Sequence, residues 1–243
     1  MLKPSKNIKS LKHQSSTCRA NFNLLCWNIA KLSQKDSFKN YLRDLITKES
    51  LDILLLQEIK EELVKEIEIE DFSFVLSANI ETKKHLFGVM SLFDFSCHSH
   101  KELLTNSKEL SFLTHKSSLM TLHKTKNDTE LLIVNIHAIN FVTTKVFQKE
   151  LDSIEAQISS FKGALIVAGD FNTWSKKRVV LLESFAKRLS LNKVEFQDEK
   201  NLKRVFKETL DYVFYRALHV QSAKVLKCPK LSDHNPIVVG FSL

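Results

Sequence analysis

One stretch decides the reading: Ala164-Leu165-Ile166-Val167-Ala168-Gly169-Asp170-Phe171-Asn172-Thr173-Trp174-Ser175. Five consecutive apolar residues mark a strand buried on both faces. Gly169 is read as the stop, and Asp170 and Asn172 follow immediately, so a carboxylate and an amide sit at a strand end. Working outward, residues 143–161 place Phe147, Leu151, Ile154 and Ile158 at helical spacing. Residues 175–189 form a basic amphipathic helix with Ser175 as its N-cap. A buried strand between two helices is the signature of an α/β domain.

The same alternation runs through the chain. Residues 22–29, 51–57, 72–78, 86–93, 118–124 and 130–137 read as strands, as do 210–215, 220–226 and 236–243. The turn signal Asn127-Asp128 pairs 118–124 with 130–137 as a hairpin. Residues 36–49 are expected to be a helix capped by Asp36 or Ser33, and 61–69 a short helix. No repeat and no Ser-, Pro- or Gly-rich linker splits residues 21–243, which read as a single domain. Residues 1–20 hold Lys3, Lys6, Lys9, Lys12 and Arg19 without an acid, and are expected to be a basic, flexible tail.

Composition narrows the function. The 243 residues are 43% hydrophobic and 26% charged, as in ordinary globular proteins. No apolar run reaches the ~18 residues of a membrane span, and the N-terminus lacks the apolar stretch of a secretory signal. Four glycines leave no dinucleotide or P-loop motif. The four cysteines form no CxxC pair, so a reducing cytoplasm is expected; Cys26, inside an apolar strand, is a core residue. The formal charge of +8 suits an anionic partner. Cys97-His98-Ser99-His100 with Glu102 is better read as an exposed strand than as a metal site.

The informative residues lie at strand ends: Asn28, Gln57-Glu58, His137, Asp170 with Asn172, Asp211, and Asp233-His234. Singly, each is an ordinary turn or cap residue. Together, Cys26-Trp27-Asn28-Ile29, Leu56-Gln57-Glu58, Asn135-Ile136-His137, Gly169-Asp170-Phe171-Asn172, Leu210-Asp211-Tyr212-Val213 and Ser232-Asp233-His234-Asn235-Pro236 resemble, in order, the motifs of the endonuclease/exonuclease/phosphatase superfamily. That group includes deoxyribonuclease I, the abasic-site endonucleases, neutral sphingomyelinases and inositol-polyphosphate phosphatases. Residues 135–141 and 169–175 look closest to its bacterial YafD-like branch.

The resemblance implies a four-layer αββα sandwich, two packed mixed sheets flanked by helices, and a divalent metal, magnesium with manganese as substitute. It implies Glu58 as principal metal ligand, with Asn28 and Asp233 supporting it. Asp170 and Asn172 match the pair that positions water and phosphate, and His234 the general base. Asp211 matches the carboxylate orienting that base, and His137 a contact to the scissile phosphate. Asn140, Trp174, Lys176 and Arg178 are substrate-contact candidates beside these motifs.

The chemistry suits phosphoester hydrolysis by direct attack of water, since no covalent nucleophile stands out. A hard cation on oxygen ligands relieves phosphoryl charge, and an imidazole accepts a proton near neutral pH. Nucleic acid is the favoured partner, on the basic residues Lys176, Lys177, Arg178, Lys200, Lys203, Arg204 and Lys207 and on Trp174 for stacking. A phospholipid headgroup or inositol phosphate is the alternative, and a monomer is the default state.

Overall fold

Alternate side chains of one strand enter different cores. Along Asn21–Asn28, Phe22, Leu24 and Cys26 enter one apolar cluster while Leu25 and Trp27 enter another. Period-two alternation on a strand apolar on both faces requires a layer above and a layer below. In this computed structural model, which describes residues 3–5, 7–12, 16–64, 69–104, 116–228 and 231–243, those layers are a helix and a second sheet.

The elements in order are β1 (Lys3–Pro4), β2 (Ile8–Leu11), β3 (Asn21–Asn28), α1 (Asp36–Glu49), β4 (Ile53–Glu62), β5 (Ser73–Glu81), β6 (His85–Phe93), β7 (Ser99–Leu104), β8 (Ser117–Lys124) and β9 (Glu130–His137). There follow α2 (Thr144–Ile158), β10 (Ala164–Asp170), α3 (Lys176–Arg188), β11 (Asn192–Lys193), β12 (Arg204–Val205), β13 (Glu208–Thr209), β14 (Asp211–Arg216), β15 (His219–Val225) and β16 (Ile237–Ser242). One sheet runs β1-β5-β6-β4-β3-β16-β15, with β2 also on β5; the other runs β11-β14-β10-β9-β8-β7. Both are mixed, since β3–β4 and β9–β10 are parallel among antiparallel neighbours. Phe38, Leu42 and Leu45 of α1 cover the outer face of the first sheet. Phe147, Leu151, Leu182 and Phe185 of α2 and α3 cover the outer face of the second. The four-layer αββα sandwich expected from the sequence is the fold, and β8 and β9 form the expected hairpin.

Four local expectations change. Glu61 and Glu62 continue β4 opposite Leu86 and His85 rather than starting a helix; of the expected helix, residues 65–68 lie outside the described residues. The N-cap of α1 is Lys35, without a side-chain cap, because the Ser33 hydroxyl is used by the Lys60 backbone, donating to its carbonyl and accepting from its N–H. Gly169 lies within β10 rather than ending it. The described parts of the basic leader form β1 and β2 along β5, where they satisfy backbone groups an edge would leave open. Lys9 Nζ donates to the Leu63 carbonyl at 2.6 Å.

His123 lies fully buried between the sheets, its ring centroid 4.2 Å from that of Phe93 and 5.0 Å from that of Phe95. Its nitrogens meet the Ser96 carbonyl and the Thr121 hydroxyl. Burial pulls the imidazole down to about 4, only partly countered by the Ser96 carbonyl. The unfolded chain therefore binds a proton that the folded chain refuses between pH 6.5 and 4. Stability from this residue is complete above pH 6.5 and falls as the pH drops through that window. Between pH 7 and pH 5 the protein should lose about 2 kcal/mol more than a His123→Gln variant. Urea unfolding of both proteins at the two pH values measures the gap, and a constant gap refutes the assignment.

Candidate active site

The inward-facing series of five strands end on polar groups at one edge of the sandwich. Phe22, Leu24 and Cys26 lead to Asn28; Ile53 and Leu55 lead to Gln57. Leu131 and Ile133 lead to Asn135 and His137; Ala164, Ile166 and Ala168 lead to Asp170. In β14, read backwards, Val213 leads to Asp211. The pleat that builds the core thus delivers the site with no change of phase.

Glu58 is the exception. Strict alternation would turn it away from the inter-sheet layer, but a register shift between Leu56 and Ile59 and a backbone φ of 54° place it at the same edge. Asn172 also has a left-handed φ, 51°. Non-glycine residues in this region carry strain that the surrounding structure must hold.

Asp170 is the hub. Its Oδ2 accepts from Asn28 Nδ2 at 2.9 Å, and its Oδ1 accepts from the Asn172 backbone N–H at 2.9 Å. Asn172 Nδ2 donates to the Ala138 carbonyl. His234 Nδ1 lies 2.7 Å from Asp211 Oδ2, and its Nε2 lies 3.9 Å from Asp170 Oδ2. The His234 carbonyl accepts from Trp27 Nε1, and Ser232 Oγ ties this loop to the Asn28 carbonyl. His137 Nε2 is 3.6 Å from Glu58 Oε1 and 4.0 Å from Asp170 Oδ2. Glu58, Asp170, Asp211, His137, His234, Asn28 and Asn172 are therefore one constellation.

Its electrostatics are divided. Burial and the Asp211 carboxylate push the Asp170 carboxyl up. Burial pulls His234 down, but the carboxylates of Asp211, Asp170 and Asp233 outweigh it and raise the imidazole to about 9. Burial, then Lys116, His234 and Lys31, hold His137 well below the usual imidazole range, so its ring is neutral.

Two lysines at this edge had no signal in the sequence beyond their charge. Lys116 Nζ lies 3.0 Å from His137 Nε2, and Lys31 Nζ lies 3.5 Å from Glu58 Oε2. Lys116 stands just before β8, and Lys31 just past β3.

Other expected site residues stand elsewhere. Asp233 is largely exposed, its carboxylate is engaged by Lys203 Nζ at 2.7 Å, and its charge is among those that raise His234. Arg178 does not reach a substrate. It is fully buried, with Nη1 donating to the Ile139 and Asn172 carbonyls and Nη2 to the Val142 carbonyl, and its guanidinium lies over the rings of Phe147 and Trp174. It braces the loop carrying Asn172. Trp174 is partly exposed and donates to Asn140 Oδ1; Lys176 is exposed. His98, His100 and Glu102 do not come together as a ligand set; the group whose ligand atoms lie within 4.8 Å of one another, among the described residues, is Asp170, Asp211 and His234.

A cation fits this edge on the chemistry of its donors. Glu58 and Asp170 offer hard carboxylate oxygens, the set that magnesium and calcium prefer. The buried Asp170 carboxyl, raised by its neighbour, is the kind of group a dication would hold ionised.

Comparison with known proteins bears on the fold and the family. The model of the Endonuclease/Exonuclease/phosphatase family matches residues 25–234, from the strand bearing Asn28 to His234 itself. An endonuclease/exonuclease/phosphatase family protein from Leptotrichia buccalis superposes with a TM-score of 0.70 at 16% identity, over 91% of this chain and 100% of that one. The mannosyl-6-phosphatase Bt3783 of Bacteroides thetaiotaomicron gives 0.59 at 13% identity, over 91% and 100%. The endonuclease domain of TRAS1, a telomere-specific non-LTR retrotransposon, gives 0.57 at 15%, over 92% and 99%. At these identities the likeness is one of fold.

Proposed function

The chain belongs to the endonuclease/exonuclease/phosphatase family, and we propose that it is a divalent-metal-dependent hydrolase that cleaves nucleic-acid phosphodiesters by direct attack of water. The observation that carries this reading is the convergence of Glu58, Asp170, Asp211 and His234 from separate strand ends and loops on one sheet edge.

His234 is the proton acceptor. Asp211 takes its Nδ1 side at 2.7 Å, which fixes the ring and leaves Nε2 facing Asp170. A water oxygen at ordinary hydrogen-bond range, roughly 2.8 Å from each, spans the 3.9 Å between Nε2 and Asp170 Oδ2. Asp170 then aligns the nucleophile while Nε2 receives its proton. Asn28 and the Asn172 N–H hold Asp170 in place. The Lys116 ammonium, held at Nε2 of the neutral His137 on the side of Glu58 and Asp170, supplies positive charge for the phosphoryl oxygens. Glu58 and Asp170 would hold the cation. When bound, it relieves charge on the phosphoryl and leaving oxygens and offsets the carboxylate field that raises His234.

The substrate assignment rests on the rim. Lys31, Lys116 and Lys203 add cations at the edge, the exposed Lys176 continues them, and Trp174 offers a stacking face. A fold shared with both an endonuclease domain and a sugar phosphatase leaves specificity to such residues.

EDTA should abolish hydrolysis, and magnesium or manganese should restore it. The assay is a panel of plasmid DNA, single strands, RNA, sphingomyelin, inositol phosphates and bis-p-nitrophenyl phosphate, with Glu58→Gln as the blank. Binding of a single strand to the chelated protein should weaken steeply with salt. Activity that survives chelation sinks the metal; faster cleavage of a lipid or inositol phosphate than of any nucleic acid sinks the substrate.

A further inference from the structure

Two amides cross the apolar gap between the sheets directly beneath the site. Gln57 Nε2 of β4 donates to Asn135 Oδ1 of β9 at 2.7 Å. Asn135 Nδ2 in turn donates to the Met90 carbonyl at 3.0 Å and to Ser91 Oγ at 3.2 Å, both on β6. Gln57 and Asn135 are completely buried, surrounded by Cys26, Leu55 and Ile133. Gln57 also donates to the Leu55 carbonyl at 3.1 Å, while its Oε1 is buried without a partner.

Nothing in the packing of the sandwich calls for this pair. The inward positions on the core side of the pair, Leu55 and Ile133, are apolar, and apolar side chains in place of the two amides would avoid the cost of dehydrating them and of stranding Gln57 Oε1. What distinguishes the pair is its place. Gln57 immediately precedes Glu58, and the two occupy the irregular step of β4 between Leu56 and Ile59. Asn135 precedes His137 by two, on the same face of β9. The contact of His137 Nε2 with Glu58 Oε1 at 3.6 Å is the next one outward across the same gap.

We propose that Gln57 and Asn135 form a crossbar that sets the spacing between the Glu58 edge of one sheet and the His137–Asp170 edge of the other, and that they are positioning residues for the site rather than stability elements. The inference rests on the proposed function for its activity readout. An apolar slab has no preferred register, because its contacts are non-directional. A hydrogen bond of fixed length between sheets has one, and it fixes β4 where the strained Glu58 backbone begins. The crossbar therefore governs how far Glu58 stands from Asp170, and so how well the two share one cation.

The test compares Gln57→Met, Asn135→Leu, the double variant, and the amide exchange Gln57→Asn with Asn135→Gln, all in the full chain. Each single variant strands one buried amide, and its Tm should fall by about 2–8 °C. The double variant removes both partners, and its Tm should return most of the way to wild type. Its affinity for manganese, read by titration calorimetry, should stay at least about tenfold weaker. Its kcat on bis-p-nitrophenyl phosphate should fall by a similar factor with KM little changed. The amide exchange should recover both readouts in part.

A double variant that binds manganese as tightly as wild type overturns the crossbar, as does one whose affinity merely follows its Tm. A wild-type protein active on the panel beside a fully active double variant overturns the crossbar alone. A wild type that neither binds manganese nor cleaves any phosphoester overturns the functional reading together with it.

Discussion

His234→Gln lowers turnover by about three orders of magnitude while the protein stays folded. The loss follows from what the imidazole does at each nitrogen. Nδ1 meets Asp211 and Nε2 faces the space next to Asp170. A glutamine amide can still donate to Asp211, so no buried carboxylate is stranded, but it cannot accept a proton from water. Asp211→Asn should fall into the same range for the complementary reason, since the ring loses the carboxylate that orients it and stabilises its charged form. Glu58→Gln should be comparably inactive by a different route, visible as a lost response to added magnesium. The carboxylate side chain is about one quarter exposed and is ion-paired with Lys31, so its neutral isostere should leave the Tm within a few degrees. Circular dichroism and turnover on the same preparations measure all three. Full activity in both His234→Gln and Glu58→Gln, on a substrate the wild type cleaves, would falsify the roles given to this edge.

Most of that edge is legible in the sequence for one physical reason. Strand pleating carries an inward apolar series to the strand end, so Asn28, His137, Asp170 and Asp211 are the next members of series that begin with Phe22, Leu131, Ala164 and Tyr215. Their convergence needs only that the strands lie in two facing sheets. Glu58 is out of phase, and its position depends on a bulge that no local residue announces. Lys31 and Lys116 reach the site from outside the strands' regular spans, where side-chain direction is set by tertiary contacts alone. Arg178 shows the opposite failure. In the basic run Lys176-Lys177-Arg178 the charges look alike, yet at 100° per residue the third turns inward, and carbonyls and aromatic rings capture it. Residues 3–4 and 8–11 have too weak an alternation to be read as strands; they are strands because β5 offers an open edge.

Gly169 carries the second large effect. The sequence suggests a turn at this position, but Gly169 sits inside β10, paired with Ile136 on one side and Tyr212 on the other. A Cβ there would lie 1.9 Å from the Ile136 carbonyl oxygen, and the backbone φ is 147°, a conformation that side chains rarely adopt. The clash is with backbone at the centre of the sheet, so no side-chain rotation relieves it. Gly169→Ala must therefore either separate β10 from β9 or twist β10 at the residue before Asp170. Either way the cost is at least about 3 kcal/mol, and it falls where it matters most, because Ala138 N bonds to the Asp170 carbonyl and Asn172 N to its side chain. The expected result is a protein that is poorly folded at 37 °C and, where it folds at lower temperature, much weaker in metal-supported turnover than its residual stability would allow. Gly163→Ala, whose Cβ would meet the movable Phe161 ring at 2.8 Å and the Glu130 carbonyl oxygen at 3.2 Å rather than backbone at 1.9 Å, is the milder control for adding a methyl group at a glycine flanking the same strand. A Gly169→Ala protein with a wild-type urea midpoint would show that β10 does not need this close approach, and that Asp170 is delivered to the site by some other constraint.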